Sequence, residues 1–286
     1  MNISAQSATL PLTCLAAPLK VAGIQMVSAA SVAQNLKTAS ILIERAASQG
    51  ARLVVLPEYF CLMGRLETDK LSVAETKGTG PIQDFLSEAA IRHHIYLSAG
   101  SIPLISPDQG RVFNTQLVYT PNGEQIARYD KIHLFNFARG NESYDESRAI
   151  LAGQKIVRLE TPEITLGLSI CYDLRFPELY RAMGQVDLIL VPSAFTYTTG
   201  QAHWEILLRA RAIENQCYVL APAQGGHHEN GRRTWGHSML IDPWGDILEV
   251  LPEHEGIVSG TIEPGRLQEV RQSLPALSHR KIFADK

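Results

Sequence analysis

Short β-branched runs closed by Gly, Pro or Asn alternate along this chain with longer stretches in which apolar residues recur every three or four positions. The runs predict strands over 21–26, 53–57, 95–102, 113–119, 164–171, 188–191, 217–222, 238–242 and 257–261, and the longer period predicts helices over 31–49, 81–93, 176–183 and 202–215. Pro121-Asn122-Gly123 and Asp242-Pro243-Trp244-Gly245 each follow a strand and precede another, as hairpin turns do. Strand, helix, strand, helix, strand, hairpin therefore occurs once before Asp130 and again after Ile164. The pattern is α/β, and two similar halves packed sheet on sheet would leave helices on both outer faces.

Composition narrows the class. With 45% hydrophobic and 19% charged residues over 286 positions, the chain can bury a large core and is not charged enough to stay disordered. No linker rich in Pro, Gly or Ser divides it, so one domain is expected over 20–286, preceded by a flexible extension over 1–19. That extension is apolar from Leu10 to Leu19, but Pro11 and Pro18 break the stretch and no Lys or Arg precedes it, unlike a secretory signal. No apolar run reaches the roughly 18 residues that a membrane span needs. A net charge of -3 and a pI near 6.3 leave no basic field for nucleic acid. Cys14, Cys61, Cys171 and Cys217 form no C-x-x-C pair, which removes zinc-ribbon and dithiol readings and fits a reducing, cytoplasmic setting.

Cys171 is the strongest single candidate for chemistry. A buried strand ends at its thiol and turns towards a helix started by Pro177, a placement expected to lower the thiol pKa and to offer backbone donors to an oxyanion. Its competing reading is a packed core cysteine. Glu58 ends the apolar run Leu53-Val54-Val55-Leu56-Pro57, where partial burial would raise a carboxyl towards the range of a general base; the alternative is a strand end facing water. Lys131, among the apolar residues of Tyr129-Asp130-Lys131-Ile132-His133-Leu134, either stabilises an oxyanion or snorkels from a strand edge. Glu146 either positions Lys131 or the substrate amide, or is one acid of a solvated loop.

Leu-Pro-Glu58, Lys131-Ile-His-Leu, Tyr-Asp-Glu146-Ser and Ile-Cys171-Tyr-Asp-Leu-Arg-Phe-Pro-Glu, in this order, resemble the motifs of the nitrilase (carbon–nitrogen hydrolase) superfamily, from about Lys20 to Lys281. Each motif alone is weak, but four in order are specific. The resemblance implies a four-layer αββα sandwich and an acyl-enzyme mechanism without cofactor or metal. Cys171 would be the nucleophile, Glu58 the general base and acid, Lys131 the oxyanion stabiliser and Glu146 an assistant. It also implies self-association as a homodimer or higher oligomer. Glu142 competes for the second carboxylate, and the segment 136–143 departs from the Asp-Val-rich stretch associated with that position.

Cys171-Tyr172-Asp173 resembles the Nit-type amidases rather than the Cys-Trp-Glu of true nitrilases. Pro192-Ser-Ala-Phe195, Gly200-Gln-Ala-His203-Trp204-Glu205 and Gly236-His-Ser-Met239 look like the branch that acts on deaminated glutathione, releasing 2-oxoglutarate in metabolite repair. An ω-amidase of 2-oxoglutaramate and 2-oxosuccinamate is the runner-up. Both substrates carry an α-keto carboxylate, for which Arg175, four residues past Cys171, is the expected clamp, with Tyr172, Phe195 and Thr196 lining the pocket. Arg175 could instead cap a helix or pair with Glu178. Two other classes remain: a non-catalytic scaffold, which would be expected to have lost one of these residues, and a metal amidohydrolase prompted by His93-His94 and His227-His228, whose adjacent spacing does not put two imidazoles on one helix face. No P-loop or nucleotide-binding glycine pattern calls for ATP or NAD.

Overall fold

The structure, a computed structural model, describes residues 15–140 and 142–281. The first fourteen positions of the expected extension lie outside the described residues, as does Asn141 in the segment 136–143. Leu15 is buried in the core and the first strand opens at Leu19, so packed chain begins ahead of residue 20.

Each half is a β-α-β-α-β unit with three parallel strands. In the first, strands Leu19–Gln25, Leu53–Val55 and Tyr96–Ser98 alternate with helices Val32–Ser48 and Pro81–His93. In the second, strands Thr165–Leu168, Leu188–Leu190 and Tyr218–Ala221 alternate with helices Pro177–Ala182 and Tyr197–Asn215. Antiparallel strands extend both sheets: Gly256–Ile262 pairs with Leu19–Gln25, and Met239–Ile241 with Tyr218–Ala221. The hairpin partners implied by the two turn signals are present at Gln125–Asp130 and Ile247–Val250.

Alternation along the strands makes the layers. Val21, Leu53, Val55 and Tyr96 enter a core shared with Leu166, Leu188 and Leu220 of the second sheet. Their neighbours Ala22, Ile24, Val54, Leu56 and Leu97 pack with Ala39, Leu42, Ile43, Ile82 and Leu86 from the helices outside. Sheet therefore lies on sheet with helices beyond each, the αββα sandwich. A side chain at Gly23 would come within 3.0 Å of Val258 and 3.1 Å of Leu220, so the bare backbone there lets the sheets approach.

Three expected elements differ. The strand over 95–102 breaks into Tyr96–Ser98 and Ile102–Ile105, because Gly100 between them has φ +62°. The helix expected over 202–215 starts earlier, at Tyr197, because Thr196 caps it by accepting from the Thr199 amide; Thr198, Thr199 and Gly200 are poor helix formers and hide that first turn. The strand expected to reach Cys171 stops at Leu168, and Cys171–Arg175 forms a short 3-10 turn.

Candidate active site

Four chain segments deliver the four candidate residues to one place. Glu58 follows the buried strand Leu53–Val55, and the turn after it needs Gly100: a Cβ there would collide with the carbonyl oxygens of Leu56 and Pro57. The Glu58 carbonyl accepts from Gln224 Nε2 of the second half at 3.0 Å. Lys131, at the end of Gln125–Asp130, is held by its amide donating to the Asn114 carbonyl at 2.9 Å and its carbonyl accepting from Gly153 at 2.8 Å. Glu146 opens a 3-10 turn after the hairpin Asn136–Arg139/Glu142–Asp145. Cys171 has φ +50°, an uncommon backbone for a residue with a side chain, and its amide donates to the Pro192 carbonyl at 3.0 Å.

The Lys131 ammonium, 0% exposed, joins both carboxylates. It lies 2.8 Å from Glu58 Oε1 and 2.8 Å from Glu146 Oε2. Asn114 Nδ2 donates to Glu58 Oε1 at 2.9 Å; Tyr59 OH donates to Glu146 Oε1 and the Phe135 amide to Glu146 Oε2, both at 2.7 Å. The second carboxylate is thus Glu146; Glu142 lies on the hairpin, opposite Arg139. Burial pushes the Glu58 carboxyl above its ordinary value, with Lys131 opposing and Glu146 adding to the rise. Burial acts in the same sense on Glu146, but Lys131 and its hydrogen bonds outweigh it and hold that carboxyl low. Burial works against the Lys131 charge, and the two carboxylates overcome it, keeping the ammonium protonated.

The thiol departs from the sequence reading. The turn at Cys171 was expected to lower its pKa; burial, and next the Glu58 carboxylate, push it well above the ordinary thiol value instead. The turn Cys171–Arg175 and the six-residue helix Pro177–Ala182 are too short to counter a carboxylate beside a buried sulfur. At rest the sulfur is a neutral thiol next to a carboxyl whose raised pKa suits it to take that proton.

Asp173, fully buried, fastens the nucleophile's turn to the lysine's strand. Its carboxylate accepts from the Ile170 amide at 2.9 Å on the cysteine side. On the lysine side Tyr129 OH lies at 2.7 Å, the His133 amide at 3.1 Å and His133 Nδ1 at 2.7 Å. His133 is therefore held by Asp173, with its ring stacked 3.7 Å from Phe176. Asp173 did not enter the site on sequence grounds, and His133, near Lys131 in sequence, offers there only a formal Cys–His pair against the commoner structural role; the signal was an acid two residues after the cysteine and a histidine two after the lysine.

Cys171 opens into a shallow depression lined by Phe135, Tyr172, Arg175, Phe195 and Thr196 among others, so all four expected pocket residues meet there. The Arg175 guanidinium lies 5.7 Å from the Tyr172 ring centroid and 5.5 Å from that of Phe195, and its Nη1 is 3.2 Å from His203 Nδ1. Among the described residues no carboxylate lies within ion-pair distance of it. Phe135 was not anticipated; the residue lies in a segment whose motif resemblance stops short of it.

A sequence profile described as carbon–nitrogen hydrolase matches residues 20–272. The chain belongs to that family. Within the family it is 46% identical over 270 residues to a deaminated glutathione amidase of Synechocystis, an alignment spanning 92% of this chain and 98% of the relative. It is 37% identical to the mouse omega-amidase NIT2, over 92% of this chain and 95% of that one. Among solved family structures, the Caenorhabditis elegans NitFhit protein superposes with a TM-score of 0.86 at 38% identity, covering 93% of this chain and 66% of that one. Saccharomyces cerevisiae Nit3 superposes at 0.84 with 31% identity, over 94% and 98%.

Proposed function

We propose that this family member is a thiol-dependent amidase in which Cys171, Glu58, Lys131 and Glu146 carry the reaction and deaminated glutathione is the substrate. The observation that carries the mechanism is a fully buried ammonium bridging two carboxylates beside the Cys171 thiol. As the sulfur attacks the amide carbon and the C–S bond forms, the thiol proton passes to Glu58. The oxyanion is stabilised by Lys131, whose charge Glu146 maintains. Glu58 returns the proton to the leaving nitrogen as the C–N bond breaks, then takes one from the water that attacks the thioester and passes it to the departing sulfur as the C–S bond breaks, restoring the thiol. No cofactor enters. Arg175, a cation with no carboxylate partner among the described residues, lies at the mouth of the Cys171 depression and would hold the α-keto carboxylate bidentately.

An ω-amidase of 2-oxoglutaramate is the second reading, favoured by the mouse relative. Purified protein given each substrate separately, with 2-oxoglutarate release followed for wild type and Cys171→Ala, decides between them. Faster Cys171-dependent release from deaminated glutathione supports repair of that metabolite, and preference for 2-oxoglutaramate moves the assignment. A nucleophile that must stay a free thiol fits a reducing, cytoplasmic setting. Self-association as a homodimer belongs to the same reading: Ile206 (69% exposed), Ile213, Leu248 and Val250 leave apolar surface on and beside the helix that carries His203, next to Arg175. A monomeric sedimentation coefficient would refute it.

A further inference from the structure

The two readings of the substrate differ at one end. Both acyl parts carry an α-keto carboxylate, but 2-oxoglutaramate releases ammonia, whereas deaminated glutathione releases a dipeptide ending in a second carboxylate. A protein shaped for the longer substrate gains from a second cation, away from Arg175.

Arg232 is such a cation. Its side chain is only 19% exposed, and its Nε is buried with no hydrogen-bond partner among the described residues. Its Nη1 forms a long ion pair with Glu67 Oε1 at 3.6 Å, beyond hydrogen-bond distance, and Glu67 is shared with Lys70, which donates to its other oxygen at 2.9 Å. A largely buried guanidinium with an unused donor costs stability unless something else completes it. The position is rigid: the Arg232 amide donates to Asn230 Oδ1, its carbonyl accepts from the His228 amide, and Asn230 Nδ2 donates to the Gly64 carbonyl.

Aromatic rings connect Arg232 to the reaction centre. Its guanidinium lies 5.0 Å from the Tyr144 ring centroid. Tyr144 is 5.7 Å from Phe135, and Phe135 is 5.2 Å from Tyr172, over which Arg175 lies. Arginines thus stand at the two ends of a floor of three rings, with Cys171 beside Phe135 and Tyr172. Beside Arg232 a shallow, open depression is lined by Tyr59, whose hydroxyl donates to Glu146, and by Met63, Gly64, Glu67 and Lys70. We propose that Arg232 is a subsite for the terminal carboxylate of a peptide leaving group. It rests on the amidase reading above, which it deepens by naming the residue that prefers a dicarboxylate substrate to a simple amide.

The test is the ratio of kcat/KM for deaminated glutathione to that for 2-oxoglutaramate, in wild type, Arg232→Met and Arg232→Lys. Methionine keeps the stem against Tyr144 and removes the charge. It is expected to lower the ratio roughly ten- to hundredfold, through KM of the longer substrate, with lysine restoring part of the loss. Deaminated glutathione with its terminal carboxylate amidated should be as poor a substrate for the wild type. A ratio unchanged within about twofold, or both substrates losing equally, overturns the proposal and leaves Arg232 as a structural tie between Glu67 and Tyr144. Should the wild type turn over neither substrate, the substrate reading fails separately, and the subsite is decided by whether cysteinylglycine, but not its C-terminal amide, slows iodoacetamide labelling of Cys171 in an Arg232-dependent way. Equal protection by the acid and the amide, or none by either, overturns it.

Discussion

Replacing Glu146 with glutamine tests the electrostatic argument where it is most exposed to failure. The Glu58 and Glu146 carboxylates sit 2.8 Å from the same Lys131 nitrogen, which puts their charges about 5 Å apart; at an effective dielectric constant of about 20, two like charges at that distance repel by about 3 kcal/mol. That repulsion is one of the causes holding the Glu58 carboxyl above its ordinary value. Glu58 must be ionised to accept the thiol proton, so activity is lost as pH falls through its pKa. Removing the Glu146 charge makes Glu58 easier to ionise, and the acid limb of kcat/KM should move to lower pH, by roughly one to two pH units. The plateau should fall about tenfold or more, since a neutral side-chain amide at this position cannot satisfy Lys131, the Phe135 amide and Tyr59 OH together. The pH dependence of iodoacetamide labelling at Cys171 reads the same limb even if turnover becomes too slow to follow. An acid limb that stays in place or rises would refute both the repulsion and Glu58 as the base beneath that limb.

Other expectations follow from individual contacts. Tyr129→Phe removes one of the Asp173 hydrogen bonds and should cost about 1.5–3 kcal/mol of stability in urea unfolding and lower kcat with little change in KM; a loss of stability with unchanged kcat would make Asp173 purely structural. Gly100→Ala forces a side chain against the Leu56 and Pro57 carbonyls at φ +62°, so a loss of about 3 kcal/mol or more is expected, with activity falling alongside; a change under about 1 kcal/mol would refute the steric argument. Lys131→Met leaves two buried carboxylates without their cation, so one of them should take up a proton; labelling of Cys171 should slow and single-turnover acylation should fall at least a hundredfold, and acylation within tenfold of wild type would remove Lys131 from the oxyanion role.

Much of the architecture was legible along the chain because period and punctuation are local. Ser31 caps the first helix, Pro81 starts the second, and the doubly apolar run ending at Glu58 is a central parallel strand. The four candidate residues carry short, ordered contexts, so their meeting could be anticipated from resemblance. The start of the helix at Tyr197 was hidden by residues with poor helix propensity, and the break at Gly100 is required by the carbonyls of Leu56 and Pro57, which no local window around the glycine contains. Protonation states were still less accessible. A thiol at a turn looks activated in sequence, and becomes a neutral, raised-pKa group only because folding buries it beside Glu58. In the same way Asp173 is one acid among many until Tyr129 and His133 close on it, and Arg232 is an ordinary surface cation until folding buries it with an unused donor over Tyr144. The alternation of elements and the residue types available for chemistry could be read in order along the chain, since both are set by side chains that are neighbours in it. Charge, proton ownership and reach came into being only on folding, because they depend on burial and on groups brought together from distant segments.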